Sequence, residues 1–332
     1  MKAFIKAISY YLPDRVITNE NLAQLFPDYT IDKVSSKIGV TERHIAAQDE
    51  TSADLATKAA LKLFEEYNLS PSSIDFLLLC TQSPDYFLPT TACILQERLG
   101  IPTSAGALDF NLGCSGFVYG LAIAKGLIAG GIASRILLLT AETYSKFTHP
   151  LYKSNRTIFG DGAAATLICD SGFAEIGNFS LGTDGRGADK LIVKTGGMRH
   201  PEKMNDFQMT EGNPVSSDHL FMDGSEILNF TLDAVPLLVN DTLHNNEMIQ
   251  PEIDLFVFHQ ANKYMMNFLR KKIKIEEEKF YYCLEKFGNT VSSTIPIALK
   301  EAMTDGSIQE GHKVLIAGFG VGYSWGGTVI LY

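Results

Sequence analysis

Cys114 lies in the stretch Asn111-Leu112-Gly113-Cys114-Ser115-Gly116, between an extended Ala107-Leu108-Asp109-Phe110 and the run Phe117–Gly126, whose apolar residues recur at helical spacing. The pattern reads as strand, tight turn, helix, with Gly113 and Gly116 flanking the thiol where the backbone turns and another group approaches closely. A thiol at a helix start meets unpaired N–H groups and the positive end of the helix dipole, which favour the nucleophilic thiolate. The same turn also suits a buried structural cysteine. Three further stretches end strand-like runs. Phe256-Val257-Phe258-His259 delivers a histidine to a carboxyl end, a position that a structural histidine also occupies. Gly288-Asn289-Thr290 precedes a helix predicted over Ile295–Met303, and by itself reads equally as a turn and cap. Gly320-Val321-Gly322 is a glycine turn followed by a strand rather than a helix, which excludes a dinucleotide loop and leaves a turn that presents backbone N–H groups. Together these supply a nucleophile, two side-chain donors and an oxyanion hole.

The elements that must position these groups alternate apolar strands with amphipathic helices, the signature of an α/β sheet fold. Ile74–Gln82 resembles Ile253–Gln260, and Arg135–Ala141 resembles Lys313–Phe319, at a nearly constant offset. Each leads to a small-residue run into a further strand, Asp161–Ile168 and Trp325–Ile330. This spacing predicts a duplicated half with a boundary near Asp170-Ser171-Gly172, dividing the chain into residues 1–172 and 173–332. From Gly182 to Asp223 the text is irregular and predicts a long loop region before a helix that starts near Met222.

With 332 residues, the chain can bury a full core. Its net charge of −10 is spread rather than blocked, which argues against nucleic acid and suits a cytoplasmic enzyme. No segment is long and apolar enough to span a membrane, since Lys125, Gly126, Gly130, Gly131 and Arg135 interrupt Leu121–Ala141. Five irregularly spaced cysteines without a C-x-x-C pair suggest a reducing compartment, and none of the seven histidines stands at metal-ligand spacing, so no metal is expected.

The motifs Gly113-Cys114-Ser115-Gly116, His259-Gln260-Ala261-Asn262 and Gly288-Asn289-Thr290, with Ile38–Ile45 and Phe159-Gly160-Asp161-Gly162-Ala163, stand in the order and spacing of the β-ketoacyl-acyl carrier protein synthases III, a family of the thiolase-like superfamily that the chain resembles along nearly its whole length. The resemblance implies a duplicated five-layer αβαβα fold, a homodimer, and catalytic residues Cys114, His259 and Asn289. In such an enzyme the Cys114 thiolate takes an acyl group from a coenzyme A or acyl carrier protein thioester, with the oxyanion held by backbone N–H of Cys114 and Val321. A malonyl thioester on acyl carrier protein then loses carbon dioxide, and neutral His259 and Asn289 hold the enolate oxygen. No cofactor is implied, because the thioesters are substrates. Phe319 would screen the site from water, and Phe87 or Leu88 would line the partner protomer's acyl tunnel.

Departures from the family bear on the donor. Where coenzyme A-primed members carry an aromatic residue and arginines, this chain has Lys33, Lys37 and Lys153. Lysine meets a phosphate but does not stack on an adenine, which favours a carrier-protein-bound donor. An arginine typical of the docking helix is replaced by Tyr264, while Lys263, Arg270 and Lys271 keep that helix basic; a solvated helix face reads the same way. Two other readings remain open: an acyltransferase of the same fold that passes the acyl group to an oxygen or nitrogen nucleophile, and a thioesterase.

Overall fold

The computed structural model describes residues 2–27, 30–210 and 213–332; the side chains at 32–34 and 213 lie outside that description. In chain order the strands are β1 (Phe4–Tyr11), β2 (Val16–Thr18), β3 (Glu42–His44), β4 (Phe76–Cys80), β5 (Gly106–Phe110), β6 (Arg135–Glu142), β7 (Gly162–Cys169), β8 (Ala174–Thr183), β9 (Leu191–Ile192), β10 (Gln208–Thr210), β11 (Asn213–Val215), β12 (Phe221–Met222), β13 (Leu255–Phe258), β14 (Lys313–Gly320) and β15 (Ser324–Leu331). The helices are α1 (Asn19–Leu25), α2 (Ile31–Ile38), α3 (Ser52–Glu66), α4 (Thr91–Arg98), α5 (Gly116–Ala129), α6 (Lys153–Ile158), α7 (Gly224–Asn245), α8 (Lys263–Ile273) and α9 (Thr294–Thr304).

Nine strands form one mixed sheet in the order β13-β14-β15-β8-β1-β7-β6-β4-β5. On one side β4 runs parallel to β6, which is antiparallel to β7, which is antiparallel to β1. On the other side β13, β14, β15 and β8 repeat the same senses. The two groups join where Phe4 and Ile5 of β1 meet Glu175 and Ala174 of β8. An isolated parallel bridge from Phe256 to Phe280 flanks β13 as β5 flanks β4.

Strands β4 and β6 are continuous apolar runs because both of their faces are covered. Period-2 alternation sends Leu78, Ile136 and Leu138 into a central core with Phe117 and Ile295, and Leu77, Leu79, Leu137 and Leu139 into an outer core with Leu55, Ala59 and Leu63 of α3. Each fully buried leucine contributes about 1.5–3 kcal/mol. Helix α5 packs against both groups of strands, and α9 packs on β13, β1 and β7. With α3 and α4 outside one group and α7 and α8 outside the other, the layers read αβαβα.

The predicted helix at 295–303 is α9, one residue longer at each end. The stretch from Gly182 to Asp223, expected to be loop, instead carries the end of β8, the short pair β9–β12 and the hairpin β10–β11. Strands of two or three residues are too short for alternation to register in a sequence. Among the described residues no helix is long and apolar enough to cross a membrane, and no group of three or more His, Cys, Asp or Glu side chains could hold a metal ion.

Candidate active site

Cys114 stands between β5 and α5 in a turn closed by Gly116 N–H donating to Gly113 O at 2.8 Å. Its side chain is buried against the end of β14: a Cβ on Gly320 would lie 2.9 Å from both Cβ and Sγ of Cys114. Gly116 has a comparable reason, since a Cβ there would lie 2.2 Å from Cys80 Sγ. The backbone N–H groups of Cys114 and Val321 face the Cys114 sulfur and favour its charged form. The N–H groups at the helix start favour the thiolate as expected, but they are outweighed. Burial pushes the thiol up to about 12, the Glu142 carboxylate adds to the rise, and the two N–H groups pull back only in part.

Strand β13 delivers His259, whose N–H donates to Ala317 O of β14 at 2.8 Å, so the histidine and the cysteine are both referenced to one strand. His259 is 2 % exposed, and burial holds its imidazole down to about 3, hence neutral at physiological pH. Its Nδ1 lies 2.7 Å from Thr294 Oγ1, and its Nε2 lies 3.5 Å from Asn289 Nδ2. Asn289 is clamped by its own backbone, with N–H donating to Ile158 O at 2.9 Å and O accepting from Gly160 N–H at 3.1 Å. Its Oδ1 accepts the Val291 N–H at 2.9 Å, which leaves the amide nitrogen facing His259. Phe319 is buried with its ring edge-on to His259, 5.8 Å between centroids.

Sequence reasoning missed a polar wall beside the thiol. Glu142, at the end of β6, is fully buried and accepts from Gln82 N–H at 3.1 Å, Ser292 Oγ–H at 2.9 Å and Ser83 Oγ–H at 3.3 Å. Burial pushes its carboxyl up to about 8. Tyr144, in the same buried cluster as Cys114 and Phe159, donates its hydroxyl to Gln82 Oε1. The readable signal was an acidic residue closing the apolar run Arg135–Ala141. Glu142 gains its charge near pH 8, so above that pH it opposes thiolate formation at Cys114. Glu142→Gln is therefore expected to speed alkylation of Cys114 by iodoacetamide about threefold to tenfold at pH 9 and much less at pH 7. Peptide mapping across that pH range checks this, and an unchanged rate at pH 9 would remove Glu142 as the opposing charge.

The substrate-contact residues scatter over several elements. Lys33 lies outside the described side chains. Lys37, Lys263 and Lys271 line a cavity of about 410 Å³ between α2 and α8, together with Tyr264 and Phe268, and Lys37 Nζ stands 5.6 Å from the centre of the Tyr264 ring. Lys153 opens α6. Arg270 turns back on its own helix end, donating to Ile275 O at 3.2 Å and pairing with Glu277 at 3.2 Å. Phe87 and Leu88 are 77 % and 82 % exposed on the loop before α4.

A buried cysteine packed against the end of β14, and a neutral histidine that the same strand anchors beside an asparagine, stand on a mixed α/β sheet of the thiolase-like condensing-enzyme class. The family model for 3-oxoacyl-[acyl-carrier-protein] synthase III matches residues 108–185, and the model of its C-terminal part matches 243–332. A β-ketoacyl-[acyl-carrier-protein] synthase III of Caldanaerobacter subterraneus is 35 % identical over 322 residues, 96 % of this chain and 95 % of the relative. A crystal structure of a 3-oxoacyl-(acyl-carrier-protein) synthase III superposes with a TM-score of 0.97 at 50 % identity, covering 100 % of both chains. The 3-oxoacyl-(acyl-carrier protein) synthase of Burkholderia xenovorans LB400 superposes with a TM-score of 0.91 at 36 % identity, covering 100 % of this chain and 94 % of the other. The chain belongs to the 3-oxoacyl-[acyl-carrier-protein] synthase III family.

Proposed function

We propose that this chain primes fatty acid synthesis or a related pathway by condensing an acyl group carried on Cys114 with a malonyl thioester on acyl carrier protein. The observation that carries this is the placement of Cys114, with N–H donors from itself and Val321 on its sulfur, against the same strand that anchors His259, whose Nε2 faces Asn289 Nδ2. The thiol loses its proton as Sγ attacks the donor carbonyl. The oxyanion falls on the two N–H groups, the donor C–S bond breaks, and the departing thiolate takes up the proton. In the second half the malonyl carboxylate leaves as carbon dioxide, and the C–C electron pair becomes an enolate whose oxygen receives hydrogen bonds from His259 and Asn289. The enolate carbon attacks the Cys114 thioester, the C–S bond breaks, and the Cys114 thiolate takes one proton from solvent, matching the carboxylate charge lost as carbon dioxide.

The division into residues 1–172 and 173–332 as one duplicated unit is supported by the repeated strand senses on either side of the β1–β8 junction. A homodimer is supported by the apolar tip at Phe87 and Leu88, which a second copy would cover, with those residues lining that copy's acyl tunnel. Docking of the carrier protein is supported by Lys37, Lys263 and Lys271 around one cavity; Lys33 and Lys153 are further candidate contacts by the family resemblance, and Arg270 would act through its helix rather than by direct contact. Lysines without a stacking tryptophan support a carrier-protein-bound donor over coenzyme A. A cytoplasmic location is supported by the free thiols of all five cysteines, and the site needs no cofactor beyond its substrates.

Intact-mass spectrometry after mixing the protein with a panel of acyl-coenzyme A and acyl carrier protein thioesters, followed by a malonyl carrier-protein chase, tests the reading. It expects an acyl mass on the wild type, absent from Cys114→Ala, that the chase converts into a β-ketoacyl product. An adduct that ignores malonyl but moves to an alcohol or amine replaces it with acyl transfer, and free acid released without malonyl replaces it with hydrolysis.

A further inference from the structure

The enolate-binding step, on which this inference rests, needs a proton on His259 Nε2, and a neutral imidazole carries its single N–H on either nitrogen. Which nitrogen holds it depends on what faces Nδ1. Here that group is a hydroxyl: Thr294 Oγ1 lies 2.7 Å from Nδ1, a usual length for a strong hydrogen bond. Thr294 is buried and is the first residue of α9, where a turn from the Asn289 loop enters the helix. The Thr294 hydroxyl has two acceptors within reach, Nδ1 and Val291 O, to which it can donate at 3.0 Å; that carbonyl already accepts the backbone N–H of Thr294 and stays paired when the hydroxyl turns to Nδ1. Aiming the hydroxyl proton at Nδ1 therefore leaves no orphaned acceptor. On the far side of the ring Nε2 lies 3.5 Å from Asn289 Nδ2, longer than the usual N–H···N bond, so with Nε2 protonated both nitrogens can donate to one acceptor.

The loop that sets this arrangement is strained. Val291 has φ of +56°, a backbone conformation costly for a β-branched residue. That conformation turns its N–H onto Asn289 Oδ1 and its carbonyl onto Thr294, so one residue fixes both neighbours of the imidazole.

We propose that Thr294 is a positioning residue for the condensation step: its hydroxyl donates to His259 Nδ1, locks the Nε2–H tautomer, and so makes His259 a hydrogen-bond donor to the enolate. Thr294 touches no reacting atom, and the acylation of Cys114 does not need it.

The test separates the two half-reactions in Thr294→Val, which keeps the shape and removes the hydroxyl, and in Thr294→Ser, which restores it. In Thr294→Val, loading of Cys114 from an acyl thioester is expected to stay within about twofold of wild type, while the malonyl-dependent chase of the preloaded enzyme slows about 10- to 100-fold. Thr294→Ser is expected to recover the chase to within about threefold. In the wild type, long-range 15N–1H correlation of the histidine ring is expected to show Nε2 protonated, and in Thr294→Val a mixture of tautomers. A wild-type ring protonated on Nδ1 overturns the inference whatever the variants do. So does a Thr294→Val enzyme that condenses at the wild-type rate, loses loading and chase alike, or is not rescued by serine. A wild type that loads but fails the malonyl chase refutes the condensation reading itself.

Discussion

Cys114→Ala is expected to carry no acyl adduct with any thioester donor and to lose at least about 10³-fold in malonyl-dependent product formation, while unfolding at nearly the wild-type temperature. The loss is large because nothing near it can substitute. Cys80 is the nearby thiol, but it is fully buried beneath Gly116 and its Sγ–H is spent on Leu112 O at 2.9 Å. Burial and Glu142 push that thiol well above its usual range, and no pair of backbone N–H groups is trained on its sulfur. The fold should tolerate the change, because alanine at 114 removes one sulfur atom and neither the turn hydrogen bond nor the packing of α5 depends on it. Stopped assays with intact-mass detection on the variant and on Cys80→Ala make the comparison. An adduct that survives in Cys114→Ala and vanishes in Cys80→Ala would transfer the nucleophile's role to Cys80.

What the sequence made legible follows from where physics is local. Strands β4, β6, β13 and β14 are short apolar runs closed by polar turns, and their matched pairs stand far apart in the chain, so their repetition could be read without knowing which faces they bury. The turn around Cys114, the end of β13 at His259 and the Gly288-Asn289 turn are likewise local, each a few residues long. What could not be read depends on residues far apart in sequence. The upward push on Cys114 comes first from burial and then from Glu142, which β6 brings to the thiol, so an argument made on residues 113–117 alone sees only the N–H groups that pull it down. Thr294 reads as an ordinary member of a hydroxyl cluster until α9 packs on β13 and sets it against His259. Arg270 reads as part of a basic face until the chain beyond α8, with Lys274 left-handed at its cap, brings Ile275 and Glu277 back onto the guanidinium.

The contact between β14 and Cys114 carries a sharper expectation. Gly320→Ala places a methyl 2.9 Å from Cβ and Sγ of the nucleophile, closer than carbon and sulfur come without displacement. Neither side yields cheaply. Gly320 is paired with Ser324 of β15 at the end of a strand buried along most of its length, and Cys114 is held in its turn by Gly113 and Gly116. Either Sγ swings away from the Val321 and Cys114 N–H groups or the end of β14 retreats and takes Val321 with it. Both outcomes separate the sulfur from the two N–H groups proposed to hold the oxyanion. The expected result is a loss of about 10²-fold in the rate of acyl loading, with about 1–3 kcal/mol of destabilisation. Gly126→Ala in α5 is the matched control: no atom lies within 4 Å of its new methyl, and the helix should be stabilised by about 0.5–1 kcal/mol with loading unchanged. Rapid-quench loading kinetics and thermal unfolding of the two variants decide the matter. If Gly320→Ala loads at the wild-type rate, the fit of glycine against the thiol does not position the nucleophile, and the donors at Cys114 and Val321 tolerate a displaced sulfur.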